Sequence, residues 1–186
     1  AGGSGRRMGG VDKMFALLGG EPLLARVVDT FQSCNLIDQI VVVVNEQSLE
    51  KCRQLVAEQG WSKVADVCPG GERRQDSVAA GLSRLSQCRW VVIHDGARPL
   101  VTEDLIYRGL TEAGETGAAV ATVPVTDTIK VAGEGRLVQP TPYRNSLWAV
   151  QTPQVFRFDI ITEAYRQVKA ERLGPVAFYR YFPGSI

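Results

Sequence analysis

Ile40-Val41-Val42-Val43-Val44 is five β-branched residues in a row. A strand wetted on one face alternates apolar with polar residues, whereas one that is apolar throughout is covered on both faces, as in a parallel sheet flanked by helices. The surrounding sequence agrees. Upstream, Pro22 followed by Leu23, Leu24, Val27, Val28 and Phe31 predicts a helix with proline in its first turn and an end near Ser33. Downstream, Leu49, Cys52, Leu55 and Val56 mark a helix stopped by Gly60, and 64–67 a short strand broken by Pro69-Gly70-Gly71. Val78, Leu82 and Leu85 predict a helix opened by Asp76 or Ser77, followed by a strand over 90–94. Leu105, Ile106 and Leu110 line a helix capped by Thr102, and 118–123 is another buried strand. Near the end, 147–150 reads as a strand, and Phe158, Ile161, Tyr165 and Val168 as a helix. Strand and helix alternate. The expected fold class is therefore α/β, a doubly wound, mostly parallel sheet with right-handed crossovers and its ligands beyond the carboxyl ends of the strands.

One stretch departs from this rhythm. Residues 124–146 carry Pro140, Pro142, Gly133 and Gly135 between short β-like pieces such as 128–131, too polar and broken for core, and are expected to form a projecting β-hairpin arm.

The first thirteen residues, Ala1-Gly2-Gly3-Ser4-Gly5-Arg6-Arg7-Met8-Gly9-Gly10-Val11-Asp12-Lys13, have the makings of a phosphate cradle. Glycines let several backbone N–H groups approach an anion, and Arg6, Arg7 and Lys13 add fixed positive charge. Two common phosphate motifs do not fit. A dinucleotide fingerprint starting at Gly3 needs glycine or alanine where Met8 stands, and a P-loop ending at Gly10 needs Lys-Ser or Lys-Thr where Val11-Asp12 stand. A glycine-rich flexible terminus is the plain alternative.

Composition narrows the partners. With 21 Lys and Arg against 20 Asp and Glu there is no net field to hold a polyanion, so nucleic acid is not expected, and the anion is small. The longest strongly apolar run, Ile40 to Val44, is far short of the roughly 20 residues needed to span a membrane. Cys34, Cys52, Cys68 and Cys88 stand singly, without a C-x-x-C pair or a recognisable leader, which suits reduced core thiols and a cytoplasmic protein. At 186 residues one domain over 1–186 is expected.

The opening Ala1-Gly2-Gly3-x-Gly5-x-Arg7-Met8, followed closely by Lys13, resembles the signature of the sugar-phosphate nucleotidyltransferases. Within that family the chain most resembles the 2-C-methyl-D-erythritol 4-phosphate cytidylyltransferases, through Gly70-Gly71-Glu72-Arg73-Arg74-Gln75-Asp76-Ser77, His94-Asp95-Gly96-Ala97-Arg98-Pro99 and Arg144-Asn145-Ser146-Leu147-Trp148-Ala149-Val150-Gln151-Thr152-Pro153-Gln154. The resemblance implies a Rossmann-like nucleotidyltransferase fold, CTP and a sugar-alcohol phosphate as substrates, Mg²⁺ as cofactor, and a homodimer joined by the arm at about 124–146. It also implies a buried strand ahead of Ala1.

Site residues follow from the same resemblance. Ala1, Gly2, Gly3 and Gly5 would hold the nucleotide, with the backbone of Gly71 and Glu72 and the hydroxyl of Ser77 facing the pyrimidine edge. Hydroxyl and backbone groups supply both donors and acceptors, which cytosine requires. Glu72 departs from the family's usual aspartate. Arg98, Thr128, Arg144 and Thr152 match positions that hold the acceptor. Asp95, at the lip of the sheet, is the expected metal ligand, since a hard cation bridging triphosphate oxygens needs only one or two protein oxygens; the plain alternative is an Asp-Gly turn. His94, the only histidine, is expected to be a packed residue without a chemical role. A phosphate monoester has its second pKa near ~6 and needs no general base. Catalysis then falls to Arg7 and Lys13, which stabilise charge on the α-phosphorus. A ribitol 5-phosphate cytidylyltransferase and an inactive nucleotide-binding homologue are the alternatives.

The resemblance fails after the last helix. The family's acidic segment, a further helix and an N-I-K-[VI]-T stretch have no counterpart, because Lys169-Ala170-Glu171-Arg172-Leu173-Gly174 leads straight into Pro175-Val176. Residues are therefore expected to be missing near Glu171-Arg172 and beyond Ile186.

Overall fold

A computed structural model of the chain describes residues 13–86 and 88–170. The run that decides the fold is a strand, β3 (Ile40–Val44), preceded by two short antiparallel strands, β1 (Leu17–Leu18) and β2 (Glu21–Pro22), and by helix α1 (Leu23–Ser33). β3 pairs in parallel with β4 (Val64–Pro69), Val42 opposite Val67 and Val43 opposite Cys68. The crossover between them is α2 (Leu49–Gln59), which Gly60 ends in the left-handed conformation at φ 65°. On one face Val42 and Val44 pack with Leu24, Val28, Cys52 and Leu55, so both strands are covered by α1 and α2.

The second sheet is three-stranded, in the order β5 (Trp90–Ile93), β7 (Trp148–Arg157), β6 (Ala118–Pro124). Successive side chains of β7 point to opposite faces. Val155 packs with Ala119 and with Ala113 of α4 (Glu103–Thr116), while Phe156 packs with Val91, Ala118, Leu82 of α3 (Arg74–Leu82) and Ile161 of α5 (Phe158–Ala170). Helices therefore cover both faces, as the α/β reading expects. Thr102 caps α4, its hydroxyl accepting from the Leu105 N–H at 3.2 Å.

Three local expectations change. The strand expected over 147–150 runs on to Arg157, although it contains Pro153. Neither neighbouring strand has a ladder partner at Pro153, because the register with β6 shifts between Val120 and Thr122, and pairing with β5 begins at Gln154. Proline, which cannot donate to a ladder, is tolerated at that gap. β7 is also antiparallel to both neighbours. No α-helix separates it from β6, only two single 3-10 turns, so the chain turns back without the helical crossover usual for a parallel strand. Finally, α3 starts at Arg74, ahead of the expected Asp76 or Ser77, because the Asp76 carboxylate reaches back to accept the Arg73 N–H at 3.2 Å.

Between β6 and β7 the chain doubles back on itself. The Val125 N–H donates to Leu147 O at 3.2 Å, and Gly133 and Gln139 donate to Leu137 and Val131 at 2.9 and 2.8 Å around an isolated bridge from Ala132 to Val138.

β3 and β5 are not paired with each other among the described residues. Their edges line a shared cleft of about 1530 Å³. Its walls are apolar along Ile40–Val43, Val27, Phe31 and Val91, and its polar lining includes Lys13, Glu72, Arg74, Ser77, His94 and Asp95. Cys34, Cys52 and Cys68 are buried, as expected of core residues, Cys88 is half-buried, and none of the four is in a disulfide. No helix among the described residues is long and apolar enough to cross a membrane.

Candidate active site

The first wall of the site is the loop from β4 into α3. The Gly70 N–H donates to Val44 O at 2.7 Å, which ties the loop to the end of β3. The helix start leaves no room for side chains here. A Cβ on Gly70 would lie 2.5 Å from Ser77 Oγ, and one on Gly71 would lie 2.4 Å from the Cβ of Asp76. The Gly71 N–H donates to the buried Ser77 hydroxyl at 3.2 Å. Asp76 accepts from the Arg73 guanidinium at 2.9 and 2.8 Å, and that bond is the main cause of a carboxyl pKa below the ordinary range. Glu72 is exposed and faces the cleft.

The second wall is the turn after β5. The Arg98 N–H donates to Asp95 O at 3.0 Å, and the His94 ring bonds through Nε2 to Arg98 O at 2.9 Å. The imidazole stacks obliquely on Phe31, centroids 5.4 Å apart, and its Nδ1 is buried without a partner among the described residues. Burial pulls its pKa down, against an opposing pull from the Arg98 carbonyl and Asp95. Asp95 is held from two sides, by Arg74 Nε on Oδ1 at 3.1 Å and by Arg98 Nε on Oδ2 at 3.3 Å. Burial alone would raise the Asp95 carboxyl, but Arg74 first and Arg98 second outweigh it and keep the group below the ordinary carboxylate range.

The third wall is the segment from Gln151 to Gln154 in β7. The buried Thr152 hydroxyl accepts the Asp95 N–H at 3.3 Å, and the Gln151 side-chain carbonyl accepts from Arg98 Nη1. Gln154, also buried, donates to Gln151 O at 3.2 Å and faces Arg74 Nη2 at 3.4 Å.

The structure thus joins Asp95, Arg98 and Thr152 in one network and sets Ser77, Glu72 and Lys13 around the same cleft. Thr128 and Arg144 are not brought to it. Both are exposed in the segment between β6 and β7, where Arg144 donates to Thr126 O at 3.1 Å. Ala1, Gly2, Gly3, Gly5 and Arg7 lie outside the described residues, as does the junction near Glu171-Arg172. Sequence reasoning missed Arg74, Gln151 and Gln154, and it gave His94 no part in bracing the turn. A cation at the first position of α3 was the available signal, since positive charge is disfavoured at a helix N-terminus unless something pairs with it.

Among the described residues no three His, Cys, Asp or Glu side chains gather, so they offer no all-protein metal cage. Asp95 offers one hard oxygen if a guanidinium yields it. That fits a Mg²⁺ ion that brings its other ligands as phosphate oxygens and water.

Comparison with known proteins shows the family and the fold. The family model for 2-C-methyl-D-erythritol 4-phosphate cytidylyltransferase matches residues 1–175. The enzyme of that name from Dehalococcoides mccartyi is 52% identical over 168 residues, covering 90% of this chain and 74% of the relative. That from Symbiobacterium thermophilum is 45% identical over 201 residues, covering 100% of this chain and 84% of the relative. This alignment is longer than the 186-residue chain, so the relative carries residues with no counterpart here. Among solved structures, the Thermus thermophilus cytidylyltransferase of the same name superposes with a TM-score of 0.71 at 28% identity, covering 93% of this chain and 81% of that one. The Anaerococcus prevotii 4-diphosphocytidyl-2C-methyl-D-erythritol synthase, 24% identical, shares the fold with a TM-score of 0.83, covering 92% of this chain and 77% of that one.

Proposed function

We propose that this chain, which belongs to the 2-C-methyl-D-erythritol 4-phosphate cytidylyltransferase family, transfers CMP from CTP to methylerythritol phosphate within a single domain, releasing pyrophosphate. The product is CDP-methylerythritol, an intermediate of isoprenoid precursor synthesis. The observation that carries this reading is the joining of Asp95, Arg98 and Thr152 at one side of a cleft that Ser77, Glu72 and Lys13 face.

The pyrimidine lies against the loop of Gly71, Glu72 and Ser77, and Ala1 and Gly2, outside the described residues, are assigned to the same nucleotide. Gly3 and Gly5, which lie outside the described residues, are assigned to the triphosphate, since glycines suit the close approach of an anion. The acceptor phosphate is held by Arg98 and Thr152 of one subunit and by Thr128 and Arg144 of the partner subunit, whose arm brings them there. As a dianion at neutral pH, its oxygen attacks the α-phosphorus in line; the new P–O bond forms as the bond to the β-phosphate oxygen breaks and pyrophosphate departs with the electron pair. Arg7 and Lys13 stabilise the charge that grows on the α-phosphoryl oxygens. Asp95 would hold Mg²⁺, which would supply positive charge to offset that of the triphosphate. Four cysteines outside any disulfide suit a reducing compartment, the cytoplasm.

The arm from 124 to 146 is read as the dimer contact. Leu137, Val138 and Tyr143 of this segment expose 74%, 64% and 73% of their surface. Pairing two arms would cover these side chains and carry Thr128 and Arg144 toward a partner's cleft.

Pyrophosphate release is the test. With CTP and methylerythritol phosphate turnover is expected, and with ribitol 5-phosphate little or none. Turnover confined to the ribitol ester, or none with either, would overturn the reading.

A further inference from the structure

Arg74 stands where a helix least favours it. It is the first residue of α3, at the positive end of the helix dipole. Its neighbour Arg73 is neutralised locally by Asp76, which leaves Asp76 committed. Arg74 therefore reaches across to another element and places Nε 3.1 Å from Asp95 Oδ1. Arg98 takes the other oxygen. The Asp95 carboxylate, half-exposed at the cleft, is thus covered by two guanidiniums. A bare carboxylate here would repel an incoming triphosphate, and a fully committed one could not accept a cation.

We propose that Arg74 is a positioning residue that acts through Asp95. It masks the carboxylate while no cation is bound, which admits the nucleotide, and it yields Asp95 when the nucleotide's divalent cation arrives. This inference rests on the reading of the cleft as the nucleotide site and of Asp95 as a ligand to that cation. The geometry suits an exchange. Both contacts to Asp95 are longer than an ordinary charge-assisted bond. Gln154 Oε1, 3.4 Å from Arg74 Nη2, also gives the guanidinium a second partner on which to rest.

Calorimetric binding of CTP to the chain, in EDTA and in excess Mg²⁺, tests this. In EDTA, Arg74→Gln is expected to weaken CTP binding about tenfold, because one unit of negative charge is unmasked near the triphosphate. Arg74→Lys, which keeps the charge, stays near the parent. The double variant Arg74→Gln/Asp95→Asn regains the parent affinity, since no charge remains to mask. In excess Mg²⁺ the loss in Arg74→Gln shrinks to about twofold, because the cation now neutralises Asp95. An equal loss in EDTA and Mg²⁺, a double variant as weak as Arg74→Gln alone, or a single variant identical to the parent would each overturn the proposal. Absence of CTP binding to the parent chain in both conditions would remove the reading of the cleft itself, and this inference with it.

Discussion

The backbone N–H of Asp95 donates to the Thr152 hydroxyl across 3.3 Å, which joins the end of β5 to the middle of β7. With only 7% of Thr152 exposed, water is poorly placed to replace that hydroxyl. Thr152→Val is therefore expected to cost about 1–2 kcal/mol in urea unfolding, the typical penalty for leaving a buried donor unpaired. It should also slow turnover, because the Asp95 turn loses its brace. Thr152→Ser should keep most of both, and equal behaviour of the two variants would show that the hydroxyl is not the anchor.

The tight start of α3 gives a paired test on glycines. In Gly71→Ala the new methyl would meet the Cβ of Asp76, which cannot swing aside without moving the helix. A loss of about 1–3 kcal/mol and a raised KM for CTP are expected. At Gly114, within α4, a methyl would meet nothing within 4 Å, so Gly114→Ala should be neutral or stabilising by up to about 1 kcal/mol. Thermal unfolding of the two variants reads the contrast directly.

Lys13 lines the cleft from a short helical turn, Lys13–Phe15. A charge that acts mainly in the transition state shows in kcat rather than in affinity. Lys13→Ala is expected to lower kcat about 10² to 10³-fold with the KM for CTP changed only a few-fold. Near-normal turnover in steady-state assays would remove Lys13 from the mechanism.

His94 is the only histidine, so its titration can be followed without assignment. Burial pulls the ring below the ordinary value of about 6.5. Folding thus favours the neutral imidazole, and its contribution is complete above pH ~6.5 and is lost as pH falls through the lower folded value. The ring C–H resonance should titrate below ~6.5, and His94→Gln should flatten the acid side of the stability profile. A midpoint at or above ~6.5 would contradict the burial argument.

Sedimentation tests the arm. A dimer is expected at micromolar concentration. Leu137→Asp with Val138→Asp should shift it toward monomer and lower activity, because Thr128 and Arg144 would no longer reach a partner. A monomer with full activity in the unaltered chain would refute the arrangement.

The layers of the fold were legible because short-range chemistry dictates them. Five β-branched residues in a row point to a strand under helices, and Val42 and Val44 are buried, while Gly60 and Thr102 end and begin helices by local hydrogen bonding. The course of β7 was not legible. Pro153 argues against a strand unless the register gap opposite it is known, and that gap belongs to the neighbouring β6. The site divides in the same way. Ser77 and Asp95 stand out because each follows a strand end. Arg74 meets Asp95 and Gln154 only after the two sheets are placed, across separations of 21 and 80 residues that no local pattern encodes.

The four thiols give the molecule a clock for its own opening. Cys34, Cys52 and Cys68 expose 1%, 0% and 2% of their surface, so a thiol reagent reaches them only during excursions from the native state. Cys52 lies among the residues that cover β3, whereas Cys34 packs with Phe31 and Ile106, so the two report on separate regions of the core. Cys88, half-buried and pushed up in pKa by that burial, supplies the slow native-state reaction against which the others can be timed. Labelling rates read by mass spectrometry would then follow the loosening of the two regions without any engineered probe, and would show whether CTP tightens one before the other.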